Sequence, residues 1–172
     1  YSSAASDVYK RQEYGARLQI HLSEISLKRF RNFQELDLHL EPGISLIHGA
    51  NGNGKSNLLE AIYMLAVAKS PRALNDRELV GFVSQNDDAR PDLDTGQIHT
   101  RVTAKINRST GTISVQIDLL GSHRENNQDE TLSSSSDGVH WQDHTFQKLF
   151  RVNGAPRRAS ELIGEVNAVL FS

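Results

Sequence analysis

The residues best suited to chemistry in this chain form a glycine-rich run that ends in a lysine and a serine. The run fits the phosphate-loop pattern G-x-x-x-x-G-K-S/T and reads Gly49-Ala50-Asn51-Gly52-Asn53-Gly54-Lys55-Ser56. Glycines let a backbone fold tightly round a polyphosphate and point its N–H groups at the oxygens. Lys55 would reach the β and γ phosphates, and the Ser56 hydroxyl would be a ligand of Mg²⁺. The pattern therefore predicts a site for a nucleoside triphosphate with its magnesium ion.

The residues on either side of this loop predict a strand before it and a helix after it. The run Ile44-Ser45-Leu46-Ile47 follows the turn pair Pro42-Gly43, as a buried strand of a mainly parallel sheet would. Downstream, apolar residues follow one face of an α-helix that we expect Pro71 to stop: Leu58, Leu59, Ala61, Ile62, Leu65 and Ala66. A strand, loop and helix in this order place the positive end of the helix at the phosphates. A glycine-rich turn that binds nothing would not need the lysine and serine.

Alternation of apolar and polar residues predicts further strands on both sides of the loop. A first strand covers 18–27 with a bulge near Ser23-Glu24, and a second covers 36–40. After the helix, 98–106 and 113–119 alternate across a turn, which predicts an antiparallel hairpin. The remaining predicted elements are a short helix over 78–82 started by Asn75 and Glu78, loops over 84–96 and 121–138, a strand over 146–152 and a short helix over 160–167.

The composition describes a polar, cysteine-free chain of single-domain size. It has 172 residues, of which 37% are hydrophobic and 23% charged, and a net charge of −2. This charge predicts no global attraction to nucleic acid or anionic membrane, so any such contact must come from a local patch. The lack of cysteine excludes disulfides and thiolate metal sites and fits a reducing compartment. Because no apolar run approaches the roughly 20 residues of a membrane span, we expect a cytoplasmic protein without a membrane partner.

The start of the chain lacks the apolar periodicity that predicts a folded element. Residues 1–17 are mostly small, polar and aperiodic, so we expect a non-native or disordered tail there. The only methionine is Met64, which lies in the predicted helix after the loop. We therefore expect a fragment in which residues 18–172 form part of a nucleotide-binding lobe.

Several segments together closely resemble the N-terminal part of the RecF family of bacterial DNA replication and repair proteins. The resemblance rests on an F-R-N-F element, the phosphate loop with its helix, and shorter matches further along: 27–33, 36–38, 49–63, 70–72, 76–79, 152–154 and 169–172. This family is grouped with the ATP-binding heads of SMC and ABC-type ATPases. The resemblance implies an α/β fold of the P-loop NTPase class, with a partial first lobe that contains a mixed sheet and an antiparallel hairpin.

The same resemblance implies a function and its partners. It implies ATP and Mg²⁺ as cofactors, ATP-dependent binding to DNA at single-strand gaps, help in loading recombinase, and a part in the SOS response. The implied partners are DNA at single-strand/double-strand junctions, a second copy in an ATP-dependent dimer of the parent protein, and other recombination mediators. It also implies that Arg31 and Asn32 lie near the nucleotide and that Gly49–Ser56 is the Walker A loop.

Two elements that such ATPases need for turnover are not visible in the sequence. One is a Walker B strand that ends in Asp-Glu, and the other is a signature loop presented by the partner subunit. Val115-Gln116-Ile117-Asp118 alternates and is followed by Leu119, while Asp129-Glu130 has no strand before it. The resemblance implies that both elements lie downstream, so we assign no catalytic residue. We expect weak nucleotide binding at best and negligible hydrolysis by this chain alone.

Other functions remain open from the residues alone. A P-loop small-molecule or nucleoside kinase also uses a lysine and Mg²⁺, although three leading strands and the lack of an arginine-rich lid disfavour it. An interaction module could keep the loop only as structure. Phosphate contact with DNA is open to three groups of basic residues: Lys28, Arg29 and Arg31; Arg72 and Arg77; and Arg151, Arg157 and Arg158. The seven histidines are dispersed without metal-ligand spacing.

Overall fold

Six strands form one sheet in the computed structural model, which describes residues 20–81, 98–123 and 144–170. The strands are β1 His21–Phe30, β2 Phe33–His39, β3 Ile98–Arg108, β4 Gly111–His123, β5 His144–Val152 and β6 Ala155–Arg157. Their order across the sheet is β2-β1-β3-β4-β5-β6, and every pairing between them is antiparallel. The described residues also include the helices α1 Lys55–Val67 and α2 Ala159–Leu162 and a 3₁₀ turn, Asp76–Leu79.

Most of the buried apolar side chains of the strands lie on one face of the sheet, and α1 packs against that face. Leu27, Val102 and Ile117 pair across β1, β3 and β4 and are almost completely buried. The helix adds to the same hydrophobic cluster Leu58, Ala61, Met64 and Leu65. Burial of each large apolar side chain stabilises the fold by about 1.5–3 kcal/mol. The packing therefore fixes α1 on the sheet, and with it the start of the helix where the phosphate loop ends.

The opposite face of the sheet carries a buried acidic residue, Asp118 of β4. Its neighbours Ile117 and Leu119 lie in the core, so alternation directs Asp118 to the face away from α1. There its carboxylate accepts hydrogen bonds from Arg101 at 2.6 Å and from Arg151. Asp118 therefore belongs to an ion cluster on β3, β4 and β5, which agrees with its exclusion as a Walker B carboxylate.

Most of the predicted elements are confirmed. The bulge in β1 lies between Leu22 and Glu24, and β2, the β3–β4 hairpin, α1 and β5 lie close to the predicted positions. The hairpin is longer than predicted, because β4 continues through residues 121–123 of the expected loop. Helix α1 ends at Val67, before Pro71, with Ala68 in the left-handed conformation at φ 59°.

The two short helices differ from their predictions. A 3₁₀ turn at Asp76–Leu79 replaces the start of the helix predicted over 78–82, and Asn75 makes no side-chain cap. Helix α2 ends at Leu162 instead of continuing to residue 167. There the chain turns through Gly164 at φ 98°, and a parallel bridge joins Ile163 to Val166. Both segments are too short for the helical periodicity of their sequence to decide their ends.

The strand predicted over Ile44-Ser45-Leu46-Ile47 is wrong for this structure. The segment has no strand geometry, and Ile44 and Leu46 are 102% and 85% exposed. A strand is stable only when a neighbour pairs with it, and β2, which lies at the edge of the sheet, pairs with β1 alone within the described residues. An apolar run of this length predicts a buried strand, but it does not provide the partner.

Some predictions lie outside the described residues. These are the tail over 1–17, the loop over 84–96, most of the loop over 121–138 and the pair Asp129-Glu130. Among the helices that the structure does describe, none has both the length and the apolar character needed to cross a membrane.

Candidate nucleotide site

The glycine-rich loop leads directly into α1, and three of its glycines have backbone angles that other residues rarely adopt. The φ angles are 152° at Gly49, 88° at Gly52 and 88° at Gly54. Gly54 is the N-cap residue of α1 and has no side chain with which to cap it; its carbonyl accepts a hydrogen bond from the Leu58 N–H at 2.9 Å. The first turn of α1 also lacks an acidic residue. No side chain caps the N–H groups that precede Leu58 at this helix start, which suits it to an anion.

Lys55 holds its ammonium group inside the loop. Its Nζ atom donates to the carbonyl oxygens of Gly49 and Ala50, both at 2.8 Å. Ser56, the next residue, is exposed at the same end of the helix. A charged phosphate oxygen is a stronger acceptor for an ammonium group than a neutral carbonyl is. The donors therefore fit a polyphosphate, and the hydroxyl fits the oxygen ligands that Mg²⁺ prefers.

The turn between β1 and β2 packs directly against this loop. Asn32 Nδ2 lies 3.5 Å from the Gly52 carbonyl, and Asn32 Oδ1 accepts a hydrogen bond from Asn57 Nδ2 at 2.8 Å. A Cβ atom on Gly54 would lie 2.6 Å from Phe33 Cζ and 2.8 Å from the Asn32 amide atoms. Only glycine at this position permits the contact. The structure thus brings Asn32 to the loop, while its role as a nucleotide ligand stays a prediction.

Arg31, in the same turn, points its side chain into the protein. Its Nε and Nη2 atoms donate to the two carboxylate oxygens of Glu60 on α1, at 3.0 and 2.7 Å. The Glu60 side chain is 0% exposed and that of Arg31 is 18% exposed. The guanidinium is therefore engaged by a carboxylate in this structure, and contact between Arg31 and a nucleotide stays a prediction.

Glu60 receives two further partners from the segment after α1. The Ser70 hydroxyl donates to Glu60 Oε1 at 2.5 Å, and Arg72 Nη1 lies 3.7 Å from Glu60 Oε2. Burial raises the pKa of Glu60, but the hydrogen bonds from Arg31 and Ser70 and the charges of Arg31 and Arg72 outweigh burial and lower it below its ordinary value. Glu60 is thus an ionised carboxylate in the protein interior at neutral pH.

The buried carboxylate predicts a specific pH dependence of stability. Because the pKa of Glu60 is lower in the folded protein, its stabilising effect is fully present above the ordinary glutamate pKa of about 4.3 and is lost as the pH falls through the lowered value. Thermal melting between neutral and acidic pH should show a steeper loss of stability in the wild type than in Glu60→Gln. Parallel melting curves for the two proteins would contradict this assignment.

Sequence reasoning missed the role of Glu60, although a signal for it exists. Glu60 lies next to Ala61 and one helical turn before Met64, both of which are completely buried. A charged residue on the buried stripe of a helix indicates an ion pair in the interior. The partner cannot be read from the pattern, because Arg31 lies 29 residues earlier in the chain.

The basic residues that were considered for contact with DNA differ in whether they form ion pairs within the protein. Four of them form ion pairs with carboxylates: Lys28 with Glu35, Arg31 and Arg72 with Glu60, and Arg151 with Asp118. Within the ranges that the structure describes, four others form no ion pair: Arg29, Arg77, Arg157 and Arg158. Their charges are therefore the ones left for an external anion.

Known proteins similar to this chain include RecF sequences from several bacteria. The DNA replication and repair protein RecF of Roseiflexus castenholzii is 33% identical over 153 residues, which are 89% of this chain and 34% of the relative. RecF of Bacillus cytotoxicus is 35% identical over 151 residues, which are 88% of this chain and 31% of the relative. The chain thus spans about a third of the length of these curated relatives. The resemblance to RecF is confirmed.

A solved structure and a family model agree with this result. The structure of the recombination mediator protein RecF-ATP in the RecFOR pathway matches with a TM-score of 0.62 and 25% identity, over 90% of this chain and 33% of that one. The P-loop NTPase fold class is therefore confirmed. The model of a family described as AAA domain matches residues 24–165. By this match, which covers most of its length, the chain belongs to the AAA domain family.

Proposed function

We propose that this chain is part of the ATP-binding lobe of a RecF-like DNA replication and repair protein, and that Gly49–Ser56 holds the phosphates of ATP. The observation that carries the proposal is the position of the Lys55 ammonium. It lies inside a loop whose glycines have φ angles that other residues rarely adopt, at a helix start without a capping side chain. A loop kept only as structure has no need to hold an ammonium there.

Each part of the loop has a role in this proposal. The backbone N–H groups from Ala50 to Gly54 and the first turn of α1 donate to phosphate oxygens. Lys55 exchanges its two carbonyl acceptors for phosphate oxygens and offsets their charge. Ser56 holds Mg²⁺, which supplies charge neutralisation at the β and γ phosphates when it is bound. Asn32, which already contacts the loop, is the residue of this turn that we assign to the nucleotide's surroundings, and Arg31 precedes it in the same turn.

Replacement of Lys55 tests this proposal. Lys55→Ala removes the ammonium and should weaken binding of a fluorescent ATP analogue with Mg²⁺ by about a hundred-fold, since a charge-assisted hydrogen-bond set of this kind contributes about 1.5–3 kcal/mol. Lys69→Ala is the matched control, because Lys69 is exposed beyond the end of α1. Equal affinity of wild type and Lys55→Ala would overturn the proposed function, whereas an equal loss in Lys69→Ala would indicate a non-specific charge effect.

The partners we propose for the longer protein are DNA at single-strand gaps, a second copy joined through ATP, and other recombination mediators. Support comes from the relatives, which are named as replication and repair proteins, and from the RecFOR pathway to which the similar structure belongs. The proposed role is to assist recombinase loading, and the proposed localisation is the cytoplasm. The Lys55 and Lys69 variants test the ATP dependence directly when gapped duplex DNA is added, because only Lys55→Ala should remove any effect of ATP on DNA retention.

A further inference from the structure

We propose that Glu60 and Arg31 are positioning residues, which hold the β1–β2 turn against the phosphate loop, and that Arg31 itself does not touch the nucleotide. This inference rests on the proposed function of Gly49–Ser56. Both side chains would thus act on the site through the turn that they hold, without contact with the nucleotide.

The first support is the geometry of the pair. Arg31 donates from two nitrogens to two oxygens of Glu60, which is the bidentate arrangement that fixes a guanidinium most firmly. Withdrawal of Arg31 toward a phosphate would leave a carboxylate with a 0% exposed side chain without its main partner. Breaking such a buried pair is strongly unfavourable. The nucleotide would therefore have to compete with an interaction that the fold already makes.

The second support is the connection from this pair to the loop. Arg31 has a φ angle of 55°, and its N–H donates to the Leu79 carbonyl at 2.9 Å, so the turn is held at both its backbone and its side chain. The next residue, Asn32, contacts Gly52 and packs where a Cβ atom on Gly54 would lie. Movement of the Arg31 backbone would thus move Asn32, the residue that contacts the phosphate loop.

The third support is that the contacts form a closed ring. Asn32 accepts a hydrogen bond from Asn57, and Asn57 Oδ1 accepts one from Arg72 Nη1 at 3.3 Å. Arg72 in turn lies beside Glu60, to which Arg31 is bound. The ring joins the turn, α1 and the segment after α1 around one buried carboxylate. Glu60 has two partners in this ring, as Asn57 and Arg72 do, but its carboxylate also accepts a hydrogen bond from Ser70 and is the buried member of the ring.

Titration of a fluorescent ATP analogue separates positioning from direct contact, because the two predict different results for Glu60→Gln. A positioning pair predicts that Glu60→Gln and Arg31→Met each weaken affinity by about ten-fold, and that the double variant is no weaker than either one. The matched control is Glu35→Gln, which removes an exposed ion pair with Lys28 from the same hairpin and should leave affinity unchanged. A direct ligand predicts instead that Glu60→Gln frees Arg31 and leaves affinity equal or higher.

Three results would overturn the inference: unchanged or tighter binding in Glu60→Gln, additive losses in the double variant, or no loss in any variant. If the single variants fail to fold because each leaves a buried charge unpaired, Arg31→Met with Glu60→Gln, which leaves none, takes their place. In that case the affinity of this double variant is compared with and without Asn32→Ala. Positioning predicts that Asn32→Ala weakens the wild type and causes no further loss in the double variant; a further loss overturns it. Equal affinity of wild type and Lys55→Ala would overturn the proposed function as well, whereas a normal Lys55 effect with no Glu60 effect would overturn this inference alone.

Discussion

Gly54→Ala is expected to destabilise the protein by about 3 kcal/mol and to remove nucleotide binding. The new methyl group would lie 2.6 Å from Phe33 and 2.8 Å from Asn32, so the turn or the loop must move. Overpacking of this kind costs about 1–3 kcal/mol, and a left-handed φ angle adds about 1–2 kcal/mol for a residue with a Cβ atom. The free energy of unfolding from urea titration measures the total.

Gly52→Ala provides a closely matched control for this prediction. Gly52 has the same φ angle of 88° as Gly54, but a Cβ atom there would meet nothing within 4 Å. It should therefore show only the conformational cost, about 1–2 kcal/mol. If both variants lost the same stability, the contact between the turn and the loop would have no energetic weight. Retained binding in Gly54→Ala would show that the site does not depend on this contact.

Arg31→Met is expected to destabilise the protein by about 3 kcal/mol, because it leaves the buried carboxylate of Glu60 with Ser70 and a distant Arg72 as partners. The matched control is Lys28→Met in β1, the strand that leads into the turn of Arg31. Lys28 and its partner Glu35 lie 3.0 Å apart with side chains 57% and 62% exposed, and such pairs contribute about 0–1 kcal/mol. Urea titrations of both variants give the comparison.

The double variant Arg31→Met with Glu60→Leu completes the test of this pair. Replacement of both charges by apolar groups removes the unpaired carboxylate, so part of the lost stability should return. A double variant as unstable as the sum of the two single variants would show that Arg31 and Glu60 act independently. That result would contradict the hydrogen-bond geometry between them.

The features that the sequence predicted correctly are those that depend on residues close together in the chain. Alternation over β3 and β4 and the glycine spacing of the loop are local signals, and they predicted the hairpin and the start of α1 correctly. The run 44–47 has an equally local signal, but a strand also requires a neighbour, which no local pattern contains. The contact of Phe33 with Gly54 and the pairing of Arg31 with Glu60 are tertiary, so periodicity could not predict them.

The fold class depended on a different kind of information. The loop pattern alone was compatible with two other functions, a P-loop kinase and an interaction module whose loop binds no nucleotide. Many folds place a lysine and a serine after a glycine-rich turn. The F-R-N-F element narrowed the choice, and the structure gives a physical reason for its value. Its arginine, asparagine and second phenylalanine, Arg31, Asn32 and Phe33, are the residues that contact Glu60, Gly52 and Gly54.

The exposed apolar segment at 44–47 has a practical consequence for work on this chain in solution. Its backbone belongs to no ladder, and two of its aliphatic side chains, Ile44 and Leu46, face water. A stretch of this type is a template for intermolecular pairing, by which one molecule adds to the next. Self-association should increase with protein concentration, so dilute samples are the appropriate condition for ligand titrations.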